Sequence, residues 1–208
     1  MSNKVHDYHD GNRYYQDLYD TRRLADNSAS RSRNEIDAKA KEYIDRADMF
    51  FLATCDHRGL PTCSYKGGDP GFVRVVDEHT LAFPNYDGNG KYQSMGNLLK
   101  NPNVGLLFVD FINPGRLRLQ GIATAHEDDE LLAEYPGAQF MVRVHVTEVY
   151  ANCPRYVHKY QLIERSVFVP REGVETPVPA WKLDPERTPY LAKNDPDWKI
   201  LNSEESGG

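Results

Sequence analysis

The segment 85–102, NYDGNGKYQSMGNLLKNP, sets two glycines among Asn and Asp side chains directly before a short amphipathic run. Glycine permits backbone conformations that aim successive N–H groups inward, and the first turn of a helix leaves donors unpaired. The pattern therefore suits an anion cradle in which Lys91 supplies a cation and Ser94 a hydroxyl. An exposed loop closed by an Asn cap fits the same residues. Further cations interrupt apolar stretches nearby: Lys66 ahead of GGDPG, Arg74 within FVRVV, and Arg116 and Arg118 within RLRLQG. A cation in a sheet interior needs an anion or a route to solvent, so these side chains mark either a ligand site or an outer, wet face.

A third cluster, NCPRYVHKY at 152–160, gathers a thiol with Arg155, His158 and Lys159. The three basic groups are candidate catalytic residues, able to bind an anionic substrate or to stabilise negative charge on a reduced cofactor. Cys153 is either a thiol activated by these cations or a small apolar group packed at a Pro154 turn. Cys55 and Cys63 fall in apparent strands and read as core residues. His6, Asp7, His9 and Asp10 in HDYHD lack a supporting third cluster, so they read as surface and no metal site is expected.

The elements that must position these residues follow from hydrophobic periodicity. Residues 1–34 are polar, with Tyr8, Tyr14, Tyr15, Leu18, Tyr19 and Leu24 spaced as an amphipathic helix that could lie on something else, and NSASRSR reads as a break. NEIDAKAKEYIDRAD predicts a helix capped by Asn34, with Ile36, Ala40, Tyr43, Ile44 and Ala47 on one face. The period then becomes extended: 49–55, 60–65, 72–77, 80–84, 103–111, 116–125 and 140–150 read as strands. Hairpin spacing implies antiparallel pairing. A helix over 91–100 is predicted with Tyr92, Met95, Leu98 and Leu99 on one face, and a short helix or turn at 127–135. The proline-punctuated stretch from 170 onward reads as an extended tail that wraps the core, with Trp181 either packed within it or a cover for a bound ring.

A chain of 208 residues supports one sizeable core. We read 1–34 as a helical extension, 35–169 as the core domain and 170–208 as the tail. The net charge of −6 argues against a general nucleic-acid or acidic-membrane surface. Three cysteines without CxxC spacing point to a reducing setting, and MSNKVHDYHDGNRYY has no apolar core of an export signal. The expectation is a cytoplasmic protein that binds neither nucleic acid nor membrane.

The order of FVRVVDEHTLAF, a Gly/Asn turn, a helix ending in LLKNP, then VGLLFVDF and RLRLQGIA resembles the FMN-binding split-barrel family that includes pyridoxamine 5′-phosphate oxidases. YHDGNRYYQDLYDTRRLAD, KGGDPGFVRV, NCPRYVHKYQ and TPVPAWK resemble its predicted flavin-nucleotide-binding subgroup. The resemblance implies a mainly β (α+β) fold, a six-stranded antiparallel split β-barrel with short flanking helices, and a homodimer holding FMN in grooves at its interface. It implies a flavin-dependent oxidoreductase that acts on a small molecule by hydride transfer; a flavin carrier or sensor, or a barrel using haem or a deazaflavin, are the alternatives. Cofactor contacts carried over are Arg74, Val75, Asn85, Lys91, Ser94 and Gln120, with Lys66 beside them. The Ser-Arg-Lys run of the oxidases is replaced by GKYQS, and the residues that grip pyridoxal phosphate have no counterpart, so vitamin B6 oxidase activity is not implied.

Overall fold

Asp37, not Asn34, opens the first core helix: its carboxylate accepts the N–H of Ala40 at 2.8 Å, satisfying a donor that the first turn would otherwise leave open. This helix is the third of the computed structural model, which describes residues 8–195, 197 and 198. His6 and Asp7 lie outside the described residues. The helices are α1 (Asp10–Leu18), α2 (Arg22–Ala29), α3 (Ala38–Asp45) and α4 (Gln93–Leu98); the strands are β1 (Met49–Cys55), β2 (Pro61–Gly67), β3 (Arg74–Asp77), β4 (Thr80–Tyr86), β5 (Asn103–Asp110), β6 (Gly115–His126) and β7 (Ala138–Asn152). The segment expected as one N-terminal helix is two, parted at Asp20, whose φ of 51° breaks the helical run. Three-ten turns occupy Glu130–Glu134, Ala180–Leu183 and Thr188–Tyr190. The chain divides into two compact units between Glu164 and Arg165.

In the first unit every strand pairs antiparallel in one sheet of order β2-β1-β5-β6-β7-β4-β3. Where the resemblance implies a six-stranded barrel, the described residues form one sheet of seven strands whose ladder is not closed, because β2 and β3 stand at its two ends. The bare 3.3 Å rise per residue makes β6 and β7, with 12 and 15 residues, much longer than their neighbours, so they form the spine that carries both halves. The inner face holds Phe50, Leu52, Leu81, Phe83, Leu106, Phe108, Leu119, Val142 and Val144, and α3 adds Ile36, Ala40 and Ile44 to the same core. Phe50 sits at its centre, with ring centroids 5.0 to 5.9 Å from Phe83, Phe108 and Phe72, separations at which aromatic pairs attract beyond their buried area.

Alternation along β7 changes phase once. Val142, Val144 and Val146 face the core, and so does Val149; Gln120 pairs with Glu148 while the next residue, Gly121, pairs with Val146. Thr147 is thus the extra residue of a bulge. The close approach needs a glycine, since a Cβ at Gly121 would lie 2.4 Å from the His145 carbonyl oxygen. The outer face of β7 is covered near Met141 by Tyr135, Leu131 and Leu132.

The second unit is organised around Lys182, whose buried ammonium donates to Asp195 and Asp197, each at 2.8 Å. Trp181, half-buried, lies in the same three-ten turn. No helix among the described residues is long and apolar enough to cross a membrane.

Candidate functional site

The alternation of β2 is inverted. Lys66 pairs with Phe50, Ser64 with Leu52 and Thr62 with Thr54, and directly opposed residues of an antiparallel pair share a face. The polar set of PTCSYKG therefore points to the core side, while Cys63 and Tyr65 are exposed. Cys63 is not the core residue that its strand suggested, and Cys55 is only partly buried. The inward polar residues are covered by α4 and form one wall of a groove of about 370 Å³. The end of β4 and the loop through Gly88, Asn89 and Gly90 form the other.

Hydroxyl and amide pairs fix the groove. Ser64 and Ser94 meet at 3.2 Å, tying β2 to α4. Buried Asn97 donates to Thr54 at 3.0 Å and to Thr62 at 3.5 Å, and the two threonine hydroxyls are 2.9 Å apart. On the opposite wall, the Gln139 side-chain oxygen accepts from Asn85 Nδ2 at 3.1 Å and from the Tyr92 hydroxyl at 3.0 Å. The Lys91 N–H donates to Asn89 Oδ1 at 3.1 Å, an Asx turn, and Gly90 and Tyr92 both adopt positive φ, 72° and 46°. α4 itself is shorter than expected, six residues from Gln93, and Leu99 is 80% exposed instead of sharing the buried face of Met95 and Leu98. The polar side chains, more than the helix end, give the groove its character.

Two groups in the groove are electrostatically unusual. Burial pushes the Lys66 ammonium below its ordinary range, and Lys66 makes no ion pair or hydrogen bond among the described residues. Burial also pushes the Tyr86 phenol up to about 12, with Tyr135 and Asp69 adding to the shift. A desolvated cation in a cleft, with no carboxylate partner among the described residues, makes the groove a candidate for binding an anion.

Of the residues singled out from the sequence, Lys66, Asn85, Lys91 and Ser94 line this one groove. Arg74 does not: it donates to Glu134 at 2.5 Å. Val75 packs against the core, and Gln120 is exposed on β6, beside inward-facing Leu119. Arg155, His158 and Lys159 are exposed in the loop after β7 and are absent from the groove lining. That loop is pinned by Arg116, which donates to the Cys153 carbonyl, and by Tyr160, whose ring stacks on Phe111 with centroids 5.1 Å apart. Thr62, Ser64, Tyr86, Asn97 and Gln139 were not singled out. For Thr62 and Ser64 the signal was the polar set of β2 standing in register with β1; Tyr86, Asn97 and Gln139, on β4, α4 and β7, carried none.

Residues 36–168, more than half of the chain, match the family model described as pyridoxamine 5′-phosphate oxidase. The chain belongs to the pyridoxamine 5′-phosphate oxidase family. The matched span takes in all seven strands and the groove. The comparison with curated proteins gives no significant match. Among solved structures, a Lactobacillus delbrueckii protein proposed to be a pyridoxamine 5′-phosphate oxidase is similar at 24% identity and a TM-score of 0.47, covering 57% of this chain and 95% of its own. An FMN-binding protein from Syntrophomonas wolfei is similar at 10% identity and a TM-score of 0.44, covering 67% and 97%. HutZ, the haem storage protein of Vibrio cholerae, is similar at 18% identity and a TM-score of 0.39, covering 53% and 89%. At such values none of the three carries a functional conclusion for this member of the pyridoxamine 5′-phosphate oxidase family.

Proposed function

We propose that the groove binds FMN and that the protein is a flavin-dependent oxidoreductase acting on a small molecule, as a cytoplasmic homodimer. The observation that carries this reading is Lys66: its ammonium is half-buried, carries no carboxylate partner among the described residues, and borders a cleft lined by hydroxyls and a second lysine. Those groups suit a phosphate monoester, because charge-assisted hydrogen bonds to its oxygens would repay the desolvation of the lysine. Bound FMN would supply hydride exchange at its ring.

The chain's own part is binding and orientation. Lys66 and Lys91 neutralise the anion, and the Ser64 and Ser94 hydroxyls donate to it. Gln139 of β7 accepts from Asn85 and Tyr92 and so holds the two ends of the glycine loop, and Asn97 holds α4 against the β1–β2 hairpin. Asn85 is thus a support of the loop as well as a candidate contact. Arg155, His158 and Lys159 remain the proposed handles for an anionic substrate, brought to a groove from outside it. Haem is the weaker reading, since His145 and His158, its candidate axial ligands, do not line the groove.

The test is the visible absorption spectrum of the purified protein, followed by identification of the released chromophore and single-turnover reduction by a nicotinamide donor. FMN in stoichiometric amount, reduced and then reoxidised by oxygen, supports the oxidoreductase. FMN that binds without turning over leaves a carrier. A protein that takes up no flavin, or takes up haem or a deazaflavin in its place, overturns the reading.

A further inference from the structure

Consecutive residues of a strand point to opposite faces, yet Asn85 and Tyr86, the last two of β4, both line the groove. A bulge explains it. Asn85 pairs with Phe140 of β7 but Tyr86 pairs with Ala138, so Gln139 is the extra residue between them. A bulge of this kind re-aims the side chain beside it, and the Gln139 side chain also accepts from Asn85 and Tyr92. The end of β4 thus presents Tyr86 to the cleft, across from β2 and α4.

The phenol arrives there without a partner. Thr62 is bonded to Thr54, Ser64 to Ser94 and Tyr92 to Gln139, so each of these hydroxyls is engaged within the fold. The Tyr86 hydroxyl makes no hydrogen bond among the described residues and is not sealed from solvent. Burial pushes its pKa up to about 12, and Tyr135 and Asp69 reinforce the shift. The group therefore stays a donor throughout the neutral range.

The geometry points to Tyr86 as a ring-positioning residue, whose hydroxyl donates to an uncharged carbonyl oxygen on the ring of the bound flavin. Three arguments select that acceptor. Lys66, Ser64 and Ser94, which suit a phosphate, stand on β2 and α4, so a ligand that bridges the groove meets Tyr86 with its other end. Asp87 follows Tyr86 directly and the charge of Asp69 is felt at the phenol, so a second anion is repelled there and a neutral acceptor is not. A phenol partly removed from water with no acceptor costs free energy in the empty protein, and a ligand carbonyl recovers it. The inference rests on the flavin reading proposed above and adds to it the group that orients the ring.

The test is titration of the wild-type chain and Tyr86→Phe with FMN and with riboflavin, which share the ring and differ in the phosphate. The absorption spectrum of each complex and a thermal melt of each ligand-free protein accompany it. The expected result is a loss of affinity of several-fold to about tenfold, the worth of one neutral hydrogen bond, equal for the two ligands. The flavin absorption bands shift between wild type and variant, because the ring carbonyl loses its donor, and the ligand-free variant melts no lower than the wild type. The melt separates positioning from support of the fold, since removing a hydroxyl that held the structure together would lower the melting temperature. Unchanged affinity for both ligands, a loss confined to FMN, or a lower melting temperature with an unshifted spectrum would overturn the ring contact and leave the flavin reading in place. A wild-type protein that takes up neither ligand would overturn both.

Discussion

Lys66 is where binding and stability pull against each other. Its folded-state pKa is lowered by burial, so the unfolded chain holds the proton more tightly than the folded one. The sign follows from linkage: the lysine opposes folding at neutral pH, and that opposition fades as pH rises from the lowered folded value toward the ordinary value of 10.5. Lys66→Met should therefore stabilise the ligand-free protein, by on the order of 1 kcal/mol at pH 7, with the gain shrinking in alkaline solution; thermal melts at pH 7 and 10 read this directly. Ser94→Ala should leave the melting temperature nearly unchanged while weakening FMN binding several-fold, the size of one neutral hydrogen bond. Loss of stability without loss of affinity would assign Ser94 to packing alone. That Lys66, Asn85, Lys91 and Ser94 share one neighbourhood was legible because a cation, amide or hydroxyl beside glycines is chemically conspicuous, and the four line one groove. Ser64 and Thr62 were not, because PTCSYKG looks like any exposed hairpin arm until its register with Phe50 and Leu52 is known. Arg74 left two readings open, a ligand site or an outer face, and the anion beside it is Glu134.

At the scale of elements, strand placement was readable and surface alternation was not. MFFLATC and NVGLLFVDF declare themselves by apolar runs, and the observed strands fall within a few residues of those expected. The phase change in β7 comes from the Thr147 bulge, which depends on how two strands meet and leaves no mark in either alone. Gly121→Ala should cost roughly 1–3 kcal/mol, because the new methyl would press on the backbone of His145, which cannot move as a side-chain tip can. A melting temperature unchanged within error would show that the bulge relaxes freely. Helix α4 was overestimated in length because Tyr92 and Leu99 complete an apolar stripe that tertiary structure does not use. What holds α4 is Asn97, and Asn97→Ala should cost about 1–2 kcal/mol while also weakening FMN affinity, since the wall carrying Ser94 is released with it. Chemical denaturation and ligand titration on the same variant separate the two effects.

At the scale of the molecule, the family assignment accounts for the continuous antiparallel sheet, while the seven-strand count and open ladder had to be seen. A count of strands is a property of pairing, and β3, four residues long, is marginal by any sequence pattern. The sheet's outer face is tied down by Arg143, which donates to Asp129 at 2.6 and 3.0 Å. That guanidinium holds the Asp129 carboxyl below its usual 3.8, so the pair contributes stability that is complete above about that pH and is lost as pH falls through the lowered folded value. Asp129→Asn should reduce stability at pH 7 by about 2 kcal/mol, below the cost of breaking a fully buried pair, and should flatten the acid limb of the stability curve. An acid limb identical to that of the wild type would remove Asp129 from the account.

The central claim is that Lys66, which has no carboxylate partner among the described residues, receives the phosphate of a flavin in the β2–α4 groove. The most direct measurement is an FMN titration of the wild-type chain and Lys66→Met, followed by riboflavin, which lacks the phosphate, on both. The account predicts that the substitution weakens FMN about 10- to 100-fold, the worth of one charge-assisted contact, and leaves riboflavin binding unchanged. Equal loss for both ligands, or no loss for either, would contradict it.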